Sequence, residues 1–152
     1  MNILGGQFQP DAGFLRDQHV NSAAAIAATK MQHAYKAETN FALKIGDTPV
    51  TSERLVHVAS QAGTVSSFNA LLNAVGSASS MTFDLKKNGT SILSAPITVS
   101  SASDTDRQVV TATIASPTFV AGDVFSIALV VSTSTGAQGP FAWAGIIENG
   151  AP

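Results

Sequence analysis

The sequence has no cysteine. That excludes a disulfide framework, a thiolate metal site and a cysteine nucleophile. Charge is scarce as well: 12% of residues are charged, 8 basic against 10 acidic, for a net charge of −2. A weakly acidic chain with scattered Lys and Arg lacks the basic footprint of a nucleic-acid binder. It also lacks the polybasic stretch that holds a protein to anionic lipid. There is one Trp, one Tyr and three His. No apolar run reaches the 18 residues of a membrane span. The opening MNILGGQFQP has neither the basic n-region nor the long apolar h-region of a secretory signal. The expectation is a chain made in a cytoplasm, with no nucleic acid and no membrane among its partners.

What the chain does have is small residues, Ala, Ser, Thr and Gly, in two different arrangements. Residues 1–16 carry paired glycines, a Pro and the apolar Phe8, Phe14 and Leu15 without periodicity. They read as an extended arm that orders only on a surface. Residues 21–37 predict a short Ala-rich helix, capped by Asn21 or Ser22 and built from strong helix formers. Val20, Ile26, Met31 and Tyr35 form a narrow apolar stripe. So thin a stripe makes the helix marginal alone. Residues 1–40 are therefore expected to be a docking arm, with Phe14, Leu15, Val20, Ile26, Met31 and Tyr35 as its interface residues.

From residue 41 the period becomes two. Phe41, Leu43 and Ile45 alternate, and Ser52–Ala59 and Thr64–Ala74 follow as strands. Met81, Phe83 and Leu85 alternate cleanly up to Asn88-Gly89, the strongest short hairpin signal. The return strand is expected over Ser91–Val99, with Pro96 marking an edge or a bulge. Further runs cover Gln108–Ala115, Val124–Val131 and Phe141–Ile147. Seven or eight strands with turns between them predict an all-β fold for residues 41–152: an antiparallel β-sandwich, jelly-roll-like or a related Greek key.

The residues do not assemble a catalytic or metal signature. His19, His33 and His57 are not at metal-ligand spacing, and no nucleophile-elbow motif occurs. Asp104 and Asp106 flank Thr105 in a loop that lacks the ordered oxygen ligands of a calcium loop. Asp47 and Asp123 each follow Gly and read as turn residues. Asp17 and Glu53 have no acid/base partner near them in sequence. Asn88-Gly89-Thr90 matches a glycosylation acceptor but reads as the hairpin turn. Trp143, between Ala142 and Ala144, is expected in the core or at a subunit interface. No catalytic residue, cofactor or metal is assigned.

Two segments carry a resemblance. FLRDQHVNSAAAIAATKMQH (14–33) resembles an arm near the N-termini of tailed-bacteriophage virion proteins, matched at Asp17, Val20, Ala23–Ala25, Ile26 and Thr29 through His33. DLKKNGTSIL (84–93), FVAGDVF (119–125) and TGAQG (135–139) are similar to segments of β-sandwich domains in phage head-decoration, head-fibre and tail-fibre proteins. The resemblance implies a non-enzymatic capsid decoration (cement) protein on the virion exterior. It further implies a homotrimer at three-fold positions, bridging copies of the major capsid protein. The alternative it leaves open is a head- or tail-fibre component whose sandwich binds host-surface glycans. A small carbohydrate-binding or hydrolytic module is a third class, and no acid pair in the sequence supports hydrolysis.

Overall fold

The clean alternation of Met81, Phe83 and Leu85 becomes the centre of strand β4 (Ala78–Lys87), with all three side chains fully buried and Thr82 and Asp84 on the other face. The computed structural model describes residues 34–149, and within them the same period-two logic builds the other strands. These are β1 (Ala34–Ala42), β2 (Ser52–Val58), β3 (Gly63–Ala74), β5 (Thr90–Ser91), β6 (Ile97–Ser100), β7 (Val110–Thr111), β8 (Thr118–Phe119), β9 (Val124–Thr135) and β10 (Gln138–Asn149). They form two antiparallel sheets. Sheet A has the order β1-β10-β3-β7, with β8 also on β3. Sheet B has the order β2-β9-β4-β5, with β6 also on β4.

The sheets face each other through one apolar layer. Sheet B contributes Met81, Phe83 and Leu85 from β4 and Phe125, Ile127 and Leu129 from β9. Sheet A answers with Phe68, Ala70 and Leu72 from β3 and Ala142, Ala144 and Ile146 from β10. Large rings therefore meet small alanines, the interdigitation that native packing density demands. Phe119 and Phe125 pack edge to face, with centroids 5.2 Å apart and planes at 82°, the geometry aromatic quadrupoles favour. The result is the all-β, antiparallel sandwich expected from the strand pattern.

The hairpin forms where the sequence places it. Asn88 and Gly89 take φ of 50° and 82°, which suits a type I′ turn, and Lys87 pairs with Thr90. Asn88 also clips the turn to β9: its Oδ1 accepts from Val124 N at 2.9 Å. The return strand is broken, as Pro96 foreshadows. β5 ends at Ser91 and β6 resumes at Ile97, both on β4. From Ser91 to Ile97 is six steps, whereas their partners Lys86 and Phe83 are three apart. The three extra residues bulge out and tuck Ile92 and Leu93 into the core.

Three expectations need correction. Residues 34–37, read as the end of a helix, are strand: β1 begins at Ala34 and pairs with β10 in unbroken register from Ala34↔Asn149 to Ala42↔Phe141. Tyr35 is thus a residue of the edge strand, 64% exposed, and residues 34–40 belong to the sandwich, not to an arm. The ladder with β10 supplies the backbone partners that helix propensity could not outweigh. The Phe41-Leu43-Ile45 run stops being strand after Ala42, and Ile45 is 74% exposed. Gln108–Ala115 shortens to β7, with Ile114 forming an isolated bridge to Leu93. Val110, Ala112 and Ile114 nevertheless pack on the core, as their spacing predicts. The helix over residues 21–33 and the candidates Phe14, Leu15, Val20, Ile26 and Met31 lie outside the described residues.

Candidate functional site

Two groupings of side chains stand out from the framework. The first joins the sheets at the end where β1 begins. Glu148 on β10 and His57 on β2 come within 2.7 Å through Oε1 and Nε2, and the backbone N–H of Ser60 donates to the same carboxylate at 3.1 Å. The Ser60 hydroxyl donates to the other carboxylate oxygen. Burial pushes the Glu148 carboxyl up, but the hydrogen bonds from Ser60 and His57 outweigh it and hold the group below its ordinary value. A bulge in the β2–β9 ladder between Leu55 and His57 turns the imidazole toward Phe125. The serine bonds the carboxylate and not the imidazole, unlike the order of a Ser-His-acid relay. The cluster is a clip between two sheets.

The second grouping covers the outer face of sheet A. On β10, Ala142 and Ala144 point into the core, so Phe141 and Trp143 point away from it. Trp143 is half-buried and does not belong to the core, which removes the core half of the expectation of a core or subunit-interface residue. Its register partners are Asn40 on β1 and Asn69 on β3, and Thr111 pairs next to Asn69. One row along, Phe141 lies between Ala42 and Leu71. The two rings sit 5.2 Å apart with planes at 32°, which makes a nearly continuous apolar shelf.

Beyond Phe141 the shelf drops into a hollow of about 390 Å³ bordered by Ile45, Leu71, Asn73, Arg107, Gly139 and Phe141. At its border, Gly139 runs close against neighbouring segments of the chain. Its φ is +57°, and a Cβ there would stand 2.9 Å from Asn73 Cβ. Polar groups rim the shelf. The Thr111 hydroxyl donates to Asn69 Oδ1 at 2.7 Å, and Arg107 Nε donates to Asn73 Oδ1 at 3.1 Å. Arg107 itself holds a φ of 60°, an uncommon conformation for a side-chain-bearing residue, fixed by its N–H on Leu72 O at 2.8 Å.

The remaining polar candidates serve turns and strands. Asp104 accepts from Ser100 N and Ser103 Oγ, and Asp106 accepts from Val75 N. Among the described residues no three His, Cys, Asp or Glu side chains converge as metal ligands. Asp123 caps its own turn through Val120 N and Asn88. Glu53, which lacked a partner in sequence, finds two across sheet B: it accepts from Ser126 Oγ at 2.6 Å and from Lys86 Nζ at 2.9 Å. Those bonds, Ser126 first, draw its carboxyl below the usual value. His19, His33 and Asp17 lie outside the described residues. No helix long and apolar enough to cross a membrane occurs among the described residues.

The aromatic shelf escaped the sequence reading. The signal was the inverted alternation Phe-Ala-Trp-Ala, in which the small residues and not the rings face inward.

No protein-family model matches the chain, and no curated protein matches it. Among solved structures, the chain is similar to a stretch of dimeric latent PorU from Porphyromonas gingivalis, at 19% identity and a TM-score of 0.28. The match takes in 76% of this chain but only 10% of that one.

Proposed function

We propose that the chain is a structural protein of a bacteriophage virion, a decoration (cement) protein made in the host cytoplasm and carried on the capsid exterior. In this reading it is a homotrimer at three-fold positions that ties neighbouring major capsid proteins together, and it catalyses nothing. The observation that carries the reading is the strand order. β1-β10-β3-β7/β8 facing β2-β9-β4-β5/β6 follows the alternation of a jelly roll, an architecture of viral capsid and lectin domains. Fold alone does not assign function. The second support is the resemblance of residues 14–33 to the arm of phage virion proteins. A segment that orders on docking can cover a large surface, and the sandwich that starts at Ala34 supplies a rigid knob behind it.

The test uses capsids assembled without the protein. The full chain and a variant lacking residues 1–33 are added, and binding and heat resistance of the particles are measured. Sedimentation of both proteins gives their native masses. The expected result is a trimer in both cases, with only the full chain binding and protecting the capsid. A full chain that neither binds nor protects overturns the reading.

A further inference from the structure

The outer face of sheet A combines three features that a plain structural face does not need. Trp143 and Phe141 set half-buried neighbouring rings on that face, 5.2 Å apart. Polar side chains border those rings in the same rows: Asn69 and Thr111 beside Trp143, Asn73 and Arg107 beside the hollow. The bonding within that border is also one-sided. The carbonyl ends of Asn69 and Asn73 are taken by Thr111 and Arg107. Both amide NH₂ groups and the terminal nitrogens of Arg107 have no protein acceptor among the described residues. The face offers apolar rings and a surplus of donors.

That surplus selects the occupant. An apolar protein surface would desolvate these donors without satisfying them, which is costly. A second copy would bring the same donors to meet them, since a symmetric contact repeats one surface. A nucleic acid would call for a cationic patch, and Arg107 is the one cation bordering the hollow among the described residues. A pyranose ring fits both features: its C–H face lies on an aromatic ring, and its hydroxyl and ring oxygens accept from amides and guanidinium. The hollow of about 390 Å³ falls at the small end of ligand pockets. Arg107 is held in the left-handed region at its rim, and backbone outliers of this sort gather at ligand clamps.

We propose that the outer face of sheet A, with Trp143 and Phe141 as the stacking platform and Asn69, Asn73, Arg107 and Thr111 as hydrogen-bonding groups, binds a pyranose-containing glycan. This holds whether or not the chain sits on a virion.

Trp143 is the one tryptophan of the chain, so its emission reports the site directly. The full chain is titrated with dextran, with chitotetraose and with polygalacturonate, covering neutral, N-acetylated and acidic sugars. At least one should shift or quench Trp143 emission saturably. Asn69→Ala should weaken the apparent affinity about 5- to 10-fold, Phe141→Ala should abolish the response, and Leu55→Ala on sheet B should leave it unchanged. Thermal melts establish that each variant is folded, and Asn69→Ala decides the matter if Phe141→Ala is not. No response to any of the three sugars overturns the proposal. So does an Asn69→Ala titration that superimposes on the wild type. A Phe141→Ala variant that stays folded but falls apart as an oligomer overturns it too, because the face is then a contact between copies.

Discussion

Glu148 and His57 meet at 2.7 Å from opposite sheets, one on β10 and one on β2. Their side chains are only 12% and 22% exposed, so solvent screens the contact weakly. Glu148 has a carboxyl pKa lowered in the fold from an ordinary 4.5. A lowered carboxylate stabilises the native state above the unfolded value, and that stability is lost as pH falls through the native value. Melting temperature should therefore decline as pH drops below about 4.5. Glu148→Gln should flatten that part of the decline and cost about 1–3 kcal/mol at neutral pH. Calorimetry from pH 3 to 7 on both proteins checks this. Parallel curves would refute the assignment.

The two faces of sheet B should respond unequally to truncation. Phe83 is fully buried between the sheets, and Phe83→Ala should destabilise by about 3–5 kcal/mol. Leu55 is 75% exposed on the outer face of sheet B, and Leu55→Ala should fall within about 0.5 kcal/mol of the wild type. Urea midpoints at constant slope measure both.

At the β4–β5 hairpin, Asn88 accepts the left-handed conformation and holds Val124 N. Asn88→Ala should cost about 1–2 kcal/mol, since alanine pays for left-handed backbone without the local hydrogen bond. Asn88→Gly should recover part of the loss by removing the steric term while leaving the Val124 contact missing. A variant series ordered Asn, Gly, Ala in urea midpoint is the expected result.

The start of β1 sets where the chain can be shortened. Removing residues 1–33 leaves the whole β1–β10 ladder, and the sandwich should fold. Removing residues 1–40 deletes seven of the nine register pairs that run from Ala34↔Asn149 to Ala42↔Phe141. It also bares the edge of β10. That protein should melt far lower or aggregate, as exposed edges do. Circular dichroism and light scattering on both truncations decide it.

These residues also mark what could be read from sequence. β4 and β9 were legible because central strands bury one face completely, and Met81, Phe83, Leu85 and Phe125, Ile127, Leu129 print that burial as alternation. β1 was not. Its stretch AYKAETNFA sends only Phe41 fully into the core and exposes most other side chains, so its strand character comes from the backbone of β10. Such non-local pairing has no local pattern, and Ala, Lys and Glu pull the reading toward helix. The shelf was hidden for a related reason. A Trp between two alanines suggests burial of the large side chain, yet opposite β10 the space is filled by rings from other strands and only alanines fit. The Glu148–His57 contact joins positions 91 residues apart, a closure that only the folded chain reveals.

Ala34 and Asn149 are backbone partners at one end of sheet A. The sandwich therefore begins and finishes within one strand spacing, about 5 Å. A few residues suffice to join these points, so a circular permutant opened between the exposed Ala102 and Ser103 keeps every strand in place. By the same geometry the unit can be spliced into a loop of an unrelated host protein as a cassette, entering and leaving through a single gap without prying that loop apart.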